Sequence, residues 1–183
     1  MDPSQQNLPE LLPEPWLRGK LAEVPAVARA VLHALELARE DVQRWCVPLA
    51  LDALEARPIG LPSVGFQLRH MARSLDRLLA YAEGRGLSEA ETAGLRTEMH
   101  RAGTSDELFA ELAASLERSA ARVLALSTLD LAAARFVGTK RLPTTLGGLL
   151  VHMAEHTQRH VGQAITTAKI VAAVDAVRRV SVL

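Results

Sequence analysis

The sequence predicts an all-α protein, a four-helix bundle behind a proline-rich arm, and three observations carry that reading. Hydrophobic residues fill 49% of the 183 positions but aromatic ones only 3%, with Leu, Ala, Glu and Arg abundant, which suits helices packed through small side chains. Four stretches of about twenty residues or more each carry a single apolar stripe at steps of three and four. Proline and glycine breakers separate these stretches, and stripes of that kind are buried most simply against one another. The length fits one well-packed domain, here residues 21–175, better than two.

Residues 1–20, with Pro3, Pro9, Pro13 and Pro15, read either as an extended arm pinned by Trp16 and Leu17 or as a disordered tail. From Leu21 to Trp45 the set Leu21, Val24, Ala28, Val31, Leu35, Ala38, Val42 and Trp45 forms the seam of a first helix. Pro25 suits its first turn and Pro48 lies beyond its end. His33 points roughly 200° away from Val31 and reads as a surface residue. Cys46 reads as a small buried hydrophobe without a chemical role.

The link from Val47 to Pro62 holds a short helical turn at residues 51–56 and the breaker Arg57-Pro58-Ile59-Gly60. A second long helix runs from Ser63 to Glu83 on Val64, Leu68, Met71, Leu75, Leu78 and Ala82, and Gly84-Arg85-Gly86 stops it. His70 lies about 100° from Met71, on a strip shared with Gln67, Ser74 and Tyr81. Periodicity alone favours an ordinary boundary face there over the lining of a polar pocket.

Ser88 and Glu91 have capping-box spacing and open a short helix to about Met99, with His100 at its carbonyl end. Thr104 and Glu107 repeat that spacing at the start of a third long helix with seam Phe109, Leu112, Leu116, Ala120 and Val123. The link between the second and third long helices is long enough for a crossover that leaves them parallel. Residues 127–143 read as irregular, and Phe136-Val137-Gly138-Thr139-Lys140 is too short and isolated to argue a sheet. The fourth helix runs from Thr145 to about Ala173 after Leu142-Pro143-Thr144, on Leu146, Leu149, Leu150, Met153, Ala164, Ile165, Ala168 and Val171. Residues 176–183 are read as a tail.

This last helix carries three of the six histidines in HMAEHTQRHVGQ, His152 to Gln163. With Met153 as reference, a turn of roughly 100° per residue puts His160 about 20° away, His156 about 60° and His152 about 100°. His156 and His160 therefore enter the apolar stripe, while His152 sits on its shoulder. Side chains four apart share a face about 6 Å apart along the axis, so both imidazoles can reach one ion at about 2.0–2.1 Å. His152 and His160 are about 12 Å apart by the same rise, so all three cannot serve one metal. Two imidazoles in an apolar seam need partners, and a shared cation supplies one to both.

Two stretches, LPSVGFQLRHMARSLDRLL around His70 and LLVHMAEHTQRHVGQ ending at Gln163, resemble the DinB/YfiT-like metal-dependent family, and the resemblance covers roughly Leu21 to Ile170. That family places one histidine on the second helix and an HxxxH pair on the last, followed by glycine and glutamine; His70, His156, His160 and Gly162-Gln163 occupy those positions. The resemblance implies an up-down-down-up four-helix bundle, a divalent metal held by His70, His156 and His160, and a homodimer. His152 matches a further family histidine and is placed near the site, outside the ligand set. Many members have asparagine before the first histidine of the pair and arginine after the second, where this chain has Glu155 and Val161; a surface pair with Arg159 accounts for Glu155.

Three imidazoles leave coordination positions open for water or substrate. Because relatives include thiol-dependent transferases and isomerases, the first expectation is a metal-dependent thiol transferase or hydrolase acting on a small molecule, with a low-molecular-weight thiol as co-substrate. The second is a non-catalytic stress-response bundle tied together by its ion, and the third a metal-free interaction module. Zinc or nickel leads the metals, then iron or manganese, which cannot be separated further since imidazole suits several of them. Lys+Arg and Asp+Glu are both 21, so no basic field attracts nucleic acid. No apolar run approaches the ~20 residues of a membrane span. With one cysteine and no secretory pattern at the N-terminus, a soluble, reducing, cytoplasmic setting is expected.

Overall fold

The computed structural model describes residues 12–101 and 103–180, and side chains up to residue 177. Residues 1–11 of the expected arm and 181–183 of the expected tail lie outside that range. Helix α1 (Ala26–Trp45) begins after Leu21, where the sequence reading had placed its start. Leu21 takes a left-handed φ of 62°, and Pro25, as the N-cap, excludes a helical turn before it. α2 (Leu51–Glu55) is short, and α3 (Val64–Ala82) starts where the Ser63 hydroxyl accepts the Phe66 N–H. α4 (Glu89–Arg96) and α5 (Ser105–Leu126) each open with a complete capping box, Ser88 with Glu91 and Thr104 with Glu107. α6 (Leu146–Val180) is 35 residues long and continues past Ala173, so residues 176–180 are helical.

The fold is all-α in character but is not the plain four-helix bundle expected. Two short helices and a β-hairpin are added to the four long rods. In the hairpin, β1 (Ala134–Val137) pairs antiparallel with β2 (Leu142–Thr145), Val137 opposite Leu142 and Ala134 opposite Thr145. Four-residue strands are too short for alternation to be legible, and their support is tertiary. Arg135 donates from Nε to the carbonyl of Ala82 at the end of α3, and β2 runs straight into α6.

Cross-helix bonds give the directions. Ser115 donates to the carbonyl of Ala72, Arg73 to Glu111 and Arg122 to Glu83, so α3 and α5 run parallel. Gln67 meets His160 and the Pro62 carbonyl meets Thr167, so α3 and α6 are antiparallel. Gln158 donates to the Ala34 carbonyl and the Lys169 ammonium sits over the Trp45 ring, so α1 and α6 are parallel. Packing runs in a ring, α1 to α6 to α3 to α5 and back to α1.

The core fills this ring from the expected seams. Leu68, Met71 and Leu75 of α3 and Leu146, Leu150 and Met153 of α6 are fully buried, each contributing about 1.5–3 kcal/mol of burial. Cys46 is buried. Three side chains differ from the sequence reading, for a shared reason. Trp16 and Leu17 are exposed, and the segment is held instead by buried Pro15 and by Arg18, whose guanidinium grips Glu40 at 2.6 and 2.7 Å and Glu36 at 3.2 Å. Folded back in this way, the segment covers one face of α1, so His33 is only 8% exposed, where a wheel treating α1 alone leaves it on the surface. Its Nε2 has no hydrogen-bond partner among the described residues.

Candidate metal centre

Because α3 and α6 are antiparallel neighbours, the polar strip on the edge of α3 faces the histidine ridge of α6. His70 meets His156 and His160 there, with ring centroids 5.2 and 4.4 Å away, and the two α6 rings are 4.4 Å apart. Each of the three offers a ring nitrogen, and these nitrogens lie within 4.8 Å of one another. Nε2 of His70 and Nε2 of His156 are 3.4 Å apart. Among the described residues this is the one group of three or more His, Cys, Asp or Glu side chains so placed. His152 has its ring 5.5 Å from that of His156 and tilted by 59°, but it is half exposed, lies 3.7 Å from Glu155 and stays outside the group.

Gln67, His70 and Ser74 of the polar strip face this group, against the boundary reading that periodicity favoured, while Tyr81 lies by the hairpin with Gly84 and Arg135. Gln67 is buried with its Oε1 2.6 Å from Nδ1 of His160, and the Ser74 hydroxyl is 3.3 Å from Nε2 of His70. Behind His70 stands Glu98, from the segment after α4, with Oε2 2.8 Å from Nδ1 of that ring. Arg77 binds the other oxygen of Glu98 and donates to Ser74. Arg69 donates to the backbone carbonyl of Glu98 at 3.0 Å and forks onto Glu55 at 2.6 and 3.1 Å. Sequence reasoning missed Glu98, Arg69 and Glu55, since charged residues off the seam carry no periodic signal.

Electrostatics favours uncharged rings. Burial, together with the neighbouring His160, His70 and His152, holds His156 down to about 4, and burial with the His70 and Arg159 charges does the same for His160. Burial alone would raise the Glu98 carboxyl, but hydrogen bonds from His70 and Arg77 outweigh it and hold the group below the usual carboxylate range.

The donor set fits a divalent cation. Ligands at about 2.0–2.1 Å in a tetrahedron sit about 3.3–3.4 Å from one another. The His70 and His156 nitrogens already have that spacing at 3.4 Å, and a His160 nitrogen lies within 4.8 Å of both. Beside the histidines a cavity of about 480 Å³ opens between α6 and the start of α3, walled by Leu61, Pro62, Gln67, Gly162, Gln163 and Thr167 among others.

Both departures from the family pattern have structural explanations. Glu155 pairs at 3.0 Å with Arg159 on the exposed side of α6, and Val161 is buried in the core, where an arginine would be forced among apolar side chains.

A bundle whose second and last long helices bring three histidines together belongs to the class of helical proteins able to hold a metal ion between rods. The family match narrows that class. Residues 34–164, from α1 into α6 and including all three histidines, match the DinB superfamily, and the chain belongs to it. Neither a curated protein nor a solved structure matches it.

Proposed function

We propose that this chain is a divalent-metal-dependent enzyme of thiol-transfer or hydrolytic type, with His70, His156 and His160 holding the ion on an up-down-down-up bundle. The supporting observation is the convergence of three imidazole nitrogens within 4.8 Å, contributed by two helices. A divalent cation bound there supplies Lewis acidity, lowering the pKa of a thiol or water so that a nucleophile exists near neutral pH. The protein's part is to keep His156 and His160 uncharged at pH 7, so that their lone pairs remain available. Gln67 lies at the junction of ring and cavity: it holds His160 and also walls the adjoining space. That space suits the body of a small molecule, with Gln163 and Thr167 as polar contacts.

Zinc or nickel is the proposed metal, with iron or manganese next, and a low-molecular-weight thiol is the proposed co-substrate. A cytoplasmic homodimer completes the reading. The position of the cluster, bridging α3 and α6, favours a second reading in which the ion only ties those helices together. Elemental analysis of untagged protein, followed by a thiol-conjugation screen of wild type against His156→Ala, tests the first reading. About one divalent ion per chain and turnover lost in the variant are expected. A protein that carries metal, turns over no thiol adduct and unfolds on chelation belongs to the second reading. Metal-free protein whose stability is indifferent to added zinc overturns both.

A further inference from the structure

Beyond the three rings, we infer that Glu98 is a positioning residue of the cation site, selecting which nitrogen of His70 faces His156 and His160; this rests on the metal reading above. The hydrogen-bond chemistry fixes the role of Nδ1. A carboxylate only accepts, and Oε1 of Glu98 is already taken by Arg77. Oε2, 2.8 Å from Nδ1 of His70, therefore receives a proton from that nitrogen. In the neutral ring Nε2 then carries the lone pair, 3.4 Å from Nε2 of His156 and 3.3 Å from the Ser74 hydroxyl. An imidazole bound to metal through one nitrogen and to a carboxylate through the other has its tautomer and direction set by that carboxylate.

The surroundings of Glu98 do more than anchor a loop. Arg69 ties the crossover segment to α3 through the backbone carbonyl of Glu98, and Arg73 does so through the Gly94 carbonyl and the Thr97 hydroxyl. The carboxylate could then have reached solvent; instead it is buried, and burying a charge is costly unless it is paired and hydrogen-bonded. Arg77 supplies the pairing and, through Ser74, steadies the same ring from its other side. Glu98 thus carries the α4–α5 crossover into the site: of the groups around His70, it is the one contributed by neither α3 nor α6.

The test uses the full chain, metal-free, with nitrogen-15 spectra of the histidine side chains at pH 7 and zinc titration by calorimetry. Wild type is expected to show His70 protonated at Nδ1. In Glu98→Gln a population protonated at Nε2 appears and zinc affinity falls about 10–100-fold. Glu111→Gln, which removes the Arg73 ion pair on the neighbouring α3–α5 flank, leaves both readouts unchanged. A wild-type His70 protonated at Nε2 overturns the inference, as does a Glu98→Gln protein that keeps Nδ1–H and binds zinc within about threefold of wild type. Should Glu98→Gln fail to fold, the wild-type tautomer alone decides. Wild type that binds no zinc sinks the metal reading, while the tautomer comparison still decides the role of Glu98.

Discussion

Replacing Arg69 with methionine is expected to destabilise the metal-free protein severely. The guanidinium is 4% exposed and its partner Glu55 11% exposed, so the pair is shielded from screening by solvent. Three of its N–H groups are committed, two to Glu55 at 2.6 and 3.1 Å and one to the Glu98 carbonyl at 3.0 Å. Glu55 has little room to retreat, because its carboxylate lies over Gly65, where an added Cβ would meet Oε1 at 2.5 Å. Breaking a buried pair from one side costs about 3–5 kcal/mol. At about 2–4 °C per kcal/mol for a chain of this size, Tm falls by about 6–20 °C. Thermal melts followed by circular dichroism measure it. The double variant Glu55→Leu with Arg69→Met should recover much of the loss, since replacing both charges is far cheaper than stranding one. A single variant that melts within about 3 °C of wild type, or a double variant no better than the single, refutes the reasoning.

Three other outcomes are expected. His156 and His160 titrate near 4 in the folded protein against 6.5 for a free side chain, so between these values the unfolded chain binds more protons. Their contribution to stability is complete above pH 6.5 and lost as the pH falls toward 4. Urea midpoints at pH 7.5 and 4.5 should therefore diverge more in wild type than in His160→Gln; equal divergence argues against burial as the cause. Val161→Arg, which restores the arginine common among relatives, should destabilise by about 2–4 kcal/mol in denaturant titration, because position 161 is 1% exposed. Cys46 is sealed, with its thiol pushed up to about 12 chiefly by burial, so a thiol reagent should label it only after urea unfolds the protein; rapid native labelling would contradict the packing.

What the sequence revealed and what it hid separate along physical lines. Seams such as Leu68, Met71 and Leu75 were legible because burial against one neighbouring face imposes a period on apolar residues. The capping boxes at Ser88 and Thr104 were legible because both partners lie within one turn. His33 was misread because its cover is a segment folded back by Arg18, which a helical wheel does not include. The hairpin was missed because its strands are held by pairing and by the Arg135 bond to Ala82, neither visible in four residues. At the site, the HxxxH spacing on α6 was strong, and His70 was weak until the family resemblance was added. Glu98 was invisible, for its role depends on a segment 28 residues away in the chain folding back onto α3.

The separation between His70 and His156 has a consequence for biosynthesis. The two rings are 86 residues apart in the chain, and the second belongs to α6. During synthesis the three rings cannot meet until His156 and His160 have been made and α6 has docked on α3. On the proposed metal reading, ion capture follows that docking, and fragments ending before α6 are expected to carry none, however well their remaining helices associate.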